Sequence, residues 1–572
     1  MSNIADHKKI RTHLKDLFEN KDYSKIIHEI ESAYNEDERD SFLHNLYGIC
    51  KTLNPQKNQN DLIIALENFK NGYLKGKNSL QGLHSLENFA NVSIELENHD
   101  NSYSFFLECI KFYEEAEKEN TYNEKLAGAA AKVYKRLLNV KKRIKTLKKI
   151  IDRGTQNKLF WCSYIYTNNF IYDWKQIDYY NFSKKFQDFF RNYEIKRSRN
   201  VIQFNFEKPR IGFISGSTNP GHSTNYFLES LLKNINKKII DTYFFSLADL
   251  KEENSFEIKI KKYFQKWINI SELNLENSVK IIQENKINIL IDLMGFTGPN
   301  KIELFQNRVA PIQMLWLGYN NTAGLKNSDY LISDANLIKQ DEEKMYHEEV
   351  IKLNHIWNSH IGFNFERKKN ELPYKKNRYI TFGSFNNYLK ISDDVVEVWS
   401  KILKKISNSR LLLKSSNKFN EKAIIEKFNK HDVKDRLIIL DYCKNHEDHL
   451  MQYQKVDIVL DTFPYTGVTT SFEALWMNVP VLTMKGFNAN SRCGESINLN
   501  ANMEYFIASN KREYIEKAIY MSRNHEKLDN YRDKLFNDIL HSPLFDTKKF
   551  TDEFLNKLDY IFNKHKVNYG TK

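Results

Sequence analysis

The chain has 572 residues, 41% hydrophobic and 13% aromatic, which is enough apolar material for several buried cores and too much for a disordered polymer. At roughly 100–200 residues per domain, about three to four units are expected. Lys and Arg number 86 against 73 Asp and Glu, a net charge of +13, but 28% of the residues are charged with both signs interspersed. That balance describes a solvated surface, and no aromatic-basic motif accompanies it that would mark a nucleic-acid binder. The five cysteines (Cys50, Cys109, Cys162, Cys443, Cys493) are scattered and form no C-x-x-C pair, which argues against a zinc ribbon, a redox pair or a disulfide framework. The opening MSNIADHKKIRTHL lacks the apolar segment of a signal peptide, and no run of roughly 18 apolar residues occurs. The expectation is a soluble, cytoplasmic protein with no membrane span.

Residues 1–200 read as successive helices. From Lys132 to Arg153 the apolar residues Val133, Leu137, Val140, Ile144, Leu147 and Ile151 recur at steps of four and three, predicting one amphipathic helix. Lys135, Lys141, Lys142, Lys145, Lys148 and Lys149 lie off that stripe, as a solvated face or as a surface for something acidic. Similar patterns near 62–74, 103–117 and 159–171 suggest stacked helical pairs, a degenerate repeat region of tetratricopeptide type without the consensus small and aromatic positions.

The texture changes at Pro209. Compact apolar runs (RIGFISGS at 210–217, IIDTYFFSL at 239–247, INILIDLMG at 287–295 and PIQMLWLGY at 311–319) are interleaved with helical stretches, the pattern of β-α-β units on a parallel sheet. After the charged stretch RKKNELPYKKNR (367–378) the pattern restarts with YITFGSF (379–385), RLLLKSS (410–416), RLIILDY (436–442), VDIVLDTF (456–463) and VPVLTM (479–484). The chain beyond Lys511 is again helical. This gives an α/β fold of two Rossmann-like halves, residues 205–370 and 375–545, preceded by the all-α region 1–200 and followed by a helix over 546–572.

In open α/β sheets ligands bind beyond the carboxyl ends of the strands. Four loops qualify: GSTNPGHS (216–223), MGFTGPN (294–300), FNNYLK (385–390) and TFPYTGVTTSFEALW (462–476). In the last, Thr469, Thr470 and Ser471 open a helix containing Glu473. Free amides and hydroxyls at a helix start suit phosphate oxygens, although the same residues serve as ordinary caps. Glu473 is placed to accept from ribose hydroxyls, and Lys390 in FNNYLK is a cation beside a strand end. Neither G-x-G-x-x-G nor G-x-x-x-x-G-K-[ST] occurs, which counts against dinucleotide cofactors and P-loop chemistry. The lack of D-x-D counts against a metal-bridged diphosphate.

Together the blocks GHSTNYF (221–227), APIQMLWLGYNNTAG (310–324), DYLISD (329–334), FGSFNNYLKI (382–391), the stretch from Val456 to Met484 and SPLFDTKKF (542–550) resemble the O-linked N-acetylglucosamine transferase family, which includes plant SPINDLY proteins and bacterial homologues. The resemblance covers roughly residues 205–565 and implies a GT-B fold and an inverting, metal-independent glycosyltransferase that moves a sugar from a nucleotide diphosphate, most plausibly UDP-N-acetylglucosamine, to Ser/Thr of proteins. It also implies roles. Lys390 matches the lysine that neutralises the leaving diphosphate, with Asn387 at the polar position three residues before it. Thr469 and Thr470 match the pair that cradles the diphosphate, and Glu473 stands in place of an acidic residue on the ribose. Cys443, Lys444 and His449 lie in the segment that holds the base. His222 matches a histidine that points into the cleft, as base towards the acceptor or as a donor-steering group. Two positions depart from the family pattern: Phe296, where many bacterial relatives carry histidine and animal members tyrosine, and Val468, where animal enzymes carry histidine.

The partners implied are a nucleotide sugar and a protein or peptide acceptor held by the helical region, with no nucleic acid; a homo-oligomer is compatible. Other readings are a GDP-fucose-dependent O-fucosyltransferase, an Asn-directed UDP-hexose transferase, and an inactive helical-repeat scaffold. Joint retention of Lys390, Thr469, Thr470 and Glu473 argues against the scaffold. The bulky Tyr442, His446 and His449 favour uracil over a purine.

Overall fold

The computed structural model describes the chain except residues 1, 78, 120–121, 196–203, 206, 220–221, 249–253, 416–417, 442, 444 and 571–572. It divides into two compact units, Met1–Tyr164 with Ser415–Glu426, and Ile165–Lys414 with Lys427–Lys572.

The first unit is helical. Helices Ser41–Leu53, Gln59–Lys75 and Leu80–Glu95 pack in succession, as do Glu124–Arg136 and Val140–Asp152. Short polar side chains set the starts: Asp40, Asn58, Ser79 and Asn123 each accept an amide of the first turn. The single helix expected over Lys132–Arg153 is two helices. Leu138 adopts a left-handed φ of 54°, and the Asn139 side chain then caps the second helix by accepting from the Lys142 amide. The apolar steps run unbroken across the turn, and no Gly or Pro marks it. Lys135 also leaves the solvated face: burial, reinforced by Arg143 and Arg136, pushes its ammonium down to about 8.

The second unit carries two parallel sheets. The first comprises β1 (Arg210–Ser215), β2 (Asp241–Ser246), β3 (Lys266–Asn269), β4 (Ile289–Asp292), β5 (Ile312–Leu315), β6 (Tyr330–Asp334) and β7 (Glu349–Leu353), in the order β3-β2-β1-β4-β5-β6-β7. The second comprises β8 (Ile380–Ser384), β9 (Ser409–Lys414), β10 (Leu437–Leu440), β11 (Ile458–Leu460), β12 (Val481–Met484) and β13 (Ile507–Ala508), in the order β10-β9-β8-β11-β12-β13. Central strands are apolar on both faces because helices cover both: Phe213, Leu290, Ile291, Phe382, Leu411 and Leu460 are each at most 1% exposed. The strand order reverses between β1 and β4 in one sheet and between β8 and β11 in the other.

Two further segments complete this unit. Residues from Ile165 pack with the sheets: Gln176 donates to Asn321 Oδ1 (2.9 Å), and Phe186 stacks edge-on against Phe296. The final helix, Thr547–Gly570, returns to the first sheet, where Phe554 meets Trp316 at 4.8 Å between ring centres. Among the described residues no helix is long and apolar enough to cross a membrane.

Candidate functional site

The four loops singled out from the sequence follow β1, β4, β8 and β11, the strands that flank the two reversals of order. There adjacent crossovers leave on opposite faces and open a crevice. Gly216 lets the first pair of loops close up, since a Cβ there would lie 2.0 Å from the Pro299 carbonyl.

In the second half, Lys390 ends the short turn Tyr388–Lys390 after β8. Its Nζ donates to the Thr466 carbonyl at 2.7 Å and sits 4.5 Å from the centre of the Tyr465 ring. Burial lowers its pKa, while Asp461 nearby favours the charged form. Helix Thr469–Trp476 starts three residues beyond that carbonyl. The amides of Thr469 and Thr470 have no intrahelical acceptor, and the buried Thr469 Oγ1 has no partner among the described residues. Thr470 donates to Asn386 Oδ1 at 3.0 Å. Asn387 is exposed and accepts from the Leu389 amide, so it shapes the turn that carries Lys390.

Asp461 organises this loop. Its carboxylate accepts from the amides of Thr462 (2.9 Å) and Gly467 (2.7 Å), from Thr483 Oγ1 (2.7 Å) and from Asn386 Nδ2 (3.2 Å). Burial outweighs these bonds and raises its pKa to about 6. Neither Asp461 nor Asn386 was singled out from the sequence. The available signal was their position, each at the carboxyl end of a strand beside a reversal of order.

Glu473, one turn into the helix, is almost fully buried. Its Oε1 lies 3.1 Å from His446 Nε2, and its Oε2 lies 2.9 Å from His449 Nε2 and 3.0 Å from the Tyr453 hydroxyl. Burial alone would raise its pKa, but the two imidazoles and their hydrogen bonds hold it well below the usual carboxylate range. Of about four acceptor sites on a carboxylate, three are therefore taken. His446, His449 and Glu473 also form, among the described residues, a group whose possible metal-ligating atoms lie within 4.8 Å of one another. Lys414 Nζ stands 2.6 Å from His449 Nδ1. An ammonium only donates, so Nδ1 accepts and the ring proton sits on Nε2, facing Glu473. With no Nε2 lone pair on His449, the cluster is an anchor for Glu473 and is poorly suited to a cation. Cys443 lies half-buried nearby in sequence, while Lys444 and Tyr442 fall outside the described residues.

In the first half, His222 caps helix Ser223–Asn234, with Nδ1 lying 2.8 Å from Thr224 Oγ1 and accepting from the Thr224 amide. Its Nε2 makes no hydrogen bond among the described residues, and burial lowers its pKa. One turn on, the Tyr226 hydroxyl meets His446 Nδ1 at 2.8 Å, and Phe227 packs edge-on against Phe472 (5.2 Å). The His222 helix is thereby joined to the helix that carries Thr469 and Glu473. Phe296 is buried between Phe186 and Tyr319, at 4.9 and 4.8 Å, and serves packing there. Val468 gives its carbonyl to the amides of Ser471 and Phe472, starting the helix.

The model of glycosyl transferase family 41 matches residues 190–363 and 363–554, nearly all of the two-sheet unit. The chain belongs to glycosyl transferase family 41. Among similar proteins, the probable UDP-N-acetylglucosamine–peptide N-acetylglucosaminyltransferase SPINDLY of Solanum lycopersicum is 33% identical over 362 residues, 61% of this chain and 38% of that protein. The corresponding probable transferase SEC of Arabidopsis thaliana is 26% identical over 371 residues, 63% of this chain and 38% of its own length. The chain thus spans under two-fifths of these relatives. A mutant of the O-GlcNAc transferase of Thermobaculum terrenum superposes with a TM-score of 0.74 at 20% identity, covering 88% of this chain and 95% of that one. That superposition places the family 41 halves in the GT-B fold behind an all-helical region.

Proposed function

We propose that this family 41 chain is an inverting, metal-independent transferase that moves N-acetylglucosamine from UDP-N-acetylglucosamine to a serine or threonine of a protein acceptor. The observation that carries the reading is the Lys390 ammonium, held on the Thr466 carbonyl three residues before a helix start whose first amides have no intrahelical acceptor and whose Thr469 hydroxyl has no partner among the described residues. Such a cation and helix N-terminus neutralise a leaving diphosphate with protein groups alone. The SPINDLY and SEC relatives, named as probable UDP-N-acetylglucosamine–peptide transferases, support the donor and the acceptor class.

In the reaction the acceptor oxygen bonds to the anomeric carbon from the face opposite the nucleotide. The bond from that carbon to the β-phosphate oxygen breaks, and its electron pair leaves with UDP, inverting the centre. The hydroxyl proton passes to His222 Nε2 in the tautomer whose ring proton sits on Nδ1 and donates to Thr224 Oγ1 at 2.8 Å in place of the amide cap, and burial favours that uncharged ring. Thr469 and Thr470 hold the diphosphate, with Asn387 beside them. The acceptor site remaining on Glu473 takes a ribose hydroxyl, and Cys443, Lys444 and His449 border the base. Calorimetric titration with UDP and GDP tests the donor, followed by transfer from UDP-N-acetylglucosamine to co-purified proteins. UDP binding with transfer to Ser/Thr supports the reading; a clear GDP preference would move it to fucosyl transfer.

A further inference from the structure

The helical unit holds a recess of about 700 Å³ between helices Ser102–Lys118 and Val140–Asp152. Its cations are Lys118, Lys142, Lys145, Lys148, Lys149 and Arg153, against the carboxylates of Glu114, Glu117 and Asp152. All three carboxylates are already matched. Lys142 pairs with Glu114, Lys149 with Glu117 (2.9 Å), and Lys148 with Asp152 (2.5 Å). Two of these pairs bridge the walls, and Tyr134, whose hydroxyl donates to Glu114 at 2.8 Å, lies between them, so the recess has fixed sides. Six cations against three carboxylates leave an excess of three positive charges, although Lys118 also acts on Glu114 from a distance. Lys118 and Lys145 are exposed and make no ion pair among the described residues, and Arg153 lies 4.2 Å from the Tyr122 ring centre.

We infer that this recess docks an acidic stretch of a protein acceptor, an inference that rests on the transferase reading. The unpaired Lys118, Lys145 and Arg153 supply net positive charge for side-chain carboxylates. The volume lies within the roughly 300–1,000 Å³ of ordinary ligand sites, and two walls pinned by ion pairs need little ordering on binding. A peptide is favoured over nucleic acid although Glu114, Glu117 and Asp152 also line the recess. Their charge is spent on the lysines, and what separates the two polyanions is stacking: Tyr134, with its hydroxyl tied to Glu114, is the one aromatic side chain among the described lining residues, too few for successive bases.

The test uses the full chain and a fluorescein-labelled oligoglutamate, with oligolysine and oligouridine RNA as comparisons, read by fluorescence anisotropy at low and high salt. Lys118→Glu with Lys145→Glu reverses two unpaired charges on exposed positions, and the milder Lys118→Gln with Lys145→Gln removes them. Both are checked by thermal melting and by UDP titration. The expected result is oligoglutamate binding that weakens by about tenfold or more in the reversal variant, less in the neutral one, and again at high salt. Equal oligoglutamate affinity in all three proteins would overturn the inference, as would tighter binding of the RNA. The peptide titration needs no donor, so its failure is distinct from failure of the transferase reading, which shows as absence of UDP binding.

Discussion

Replacing Lys390 by alanine isolates the group on which the proposed chemistry most depends. In the resting structure the side chain makes one hydrogen bond, 2.7 Å to the Thr466 carbonyl, and lies over Tyr465. Losing that bond costs on the order of 1–2 kcal/mol of stability, because a charged donor is removed from a part-buried acceptor. The truncated stem leaves a small space beside an aromatic face. In the reaction the β-phosphate gains charge as the glycosidic bond breaks, and the ammonium is the nearest fixed cation the loop offers. Removing one pre-oriented charge of this kind costs about 3–4 kcal/mol at the transition state, or about 10²–10³ in rate. The loss should fall on kcat at saturating donor, with the acceptor KM little changed, since the interaction strengthens only as charge develops. Asp461 gives an internal check. Lys390 favours its ionised form, so in the variant its pKa, already about 6, should rise further. The assay is UDP release at saturating UDP-N-acetylglucosamine, with a thermal melt alongside. Activity within about tenfold of the unsubstituted protein, roughly 1.4 kcal/mol, would remove Lys390 from the mechanism.

Transfer should persist in excess EDTA; complete loss restored by Mn²⁺ or Mg²⁺ would overturn metal independence. A chain beginning at Ile165 should still bind UDP while transferring poorly to protein acceptors, and native-level transfer to the whole acceptor would deny the helical unit a role in selection. A chain beginning at Arg199 should instead fold poorly or not at all, because it loses Tyr179, Phe186 and Phe190, each at most 1% exposed within the two-sheet unit; circular dichroism melts compare the two. Asp292, at the end of β4, is raised by burial from 3.8 to about 7. A carboxyl raised in the folded state contributes most below its unfolded value and loses that contribution as pH rises through the folded one, here on the order of 4 kcal/mol between about pH 4 and 7. The melting temperature of the unsubstituted protein minus that of Asp292→Asn should therefore fall as pH rises across that window, and a flat difference would refute the assignment.

Strands legible in the sequence were those that need to be apolar. β1, β4, β5, β8, β9, β11 and β12 are covered on both faces and read as compact runs of Ile, Leu, Val and Phe. Those left unread lie mainly at sheet edges: β3 is KWIN, β7 is EVIKL and β13 has two residues. An edge strand needs only one buried neighbour, so its composition carries little periodic signal. The turn at Leu138 escaped for a related reason, since a left-handed leucine leaves no mark when the apolar spacing runs through it. At the candidate site, the loops that carry Lys390, Thr469, Thr470 and Glu473 were legible as the carboxyl ends of strands, whereas His222 was singled out only through the family resemblance. Asp461 and Asn386 were not legible, because their work is to hold a loop through buried hydrogen bonds whose side-chain partners lie far off in sequence: Asn386 with Asp461 and Thr470, 75 and 84 residues away, and Asp461 also with Thr483, 22 away. Spacing in a linear chain does not encode such closure.

The remaining consequence concerns how the two halves act together. On the proposed reading the proton acceptor, His222, lies in the first half and the groups for the nucleotide lie in the second, so transfer would need both. Tyr226 and Phe227 form the join between them: one reaches His446 by a hydrogen bond, and the other packs against Phe472, beside Glu473. His446 in turn bonds the Glu473 carboxylate that Lys414, through His449, also steadies. If Glu473 holds the ribose as proposed, displacing that side of the donor would pull on the helix that His222 caps. On that reading the link would keep the proposed proton acceptor and phosphate cradle in fixed relation without a covalent connection, and would place donor occupancy and the position of His222 under the same set of buried contacts.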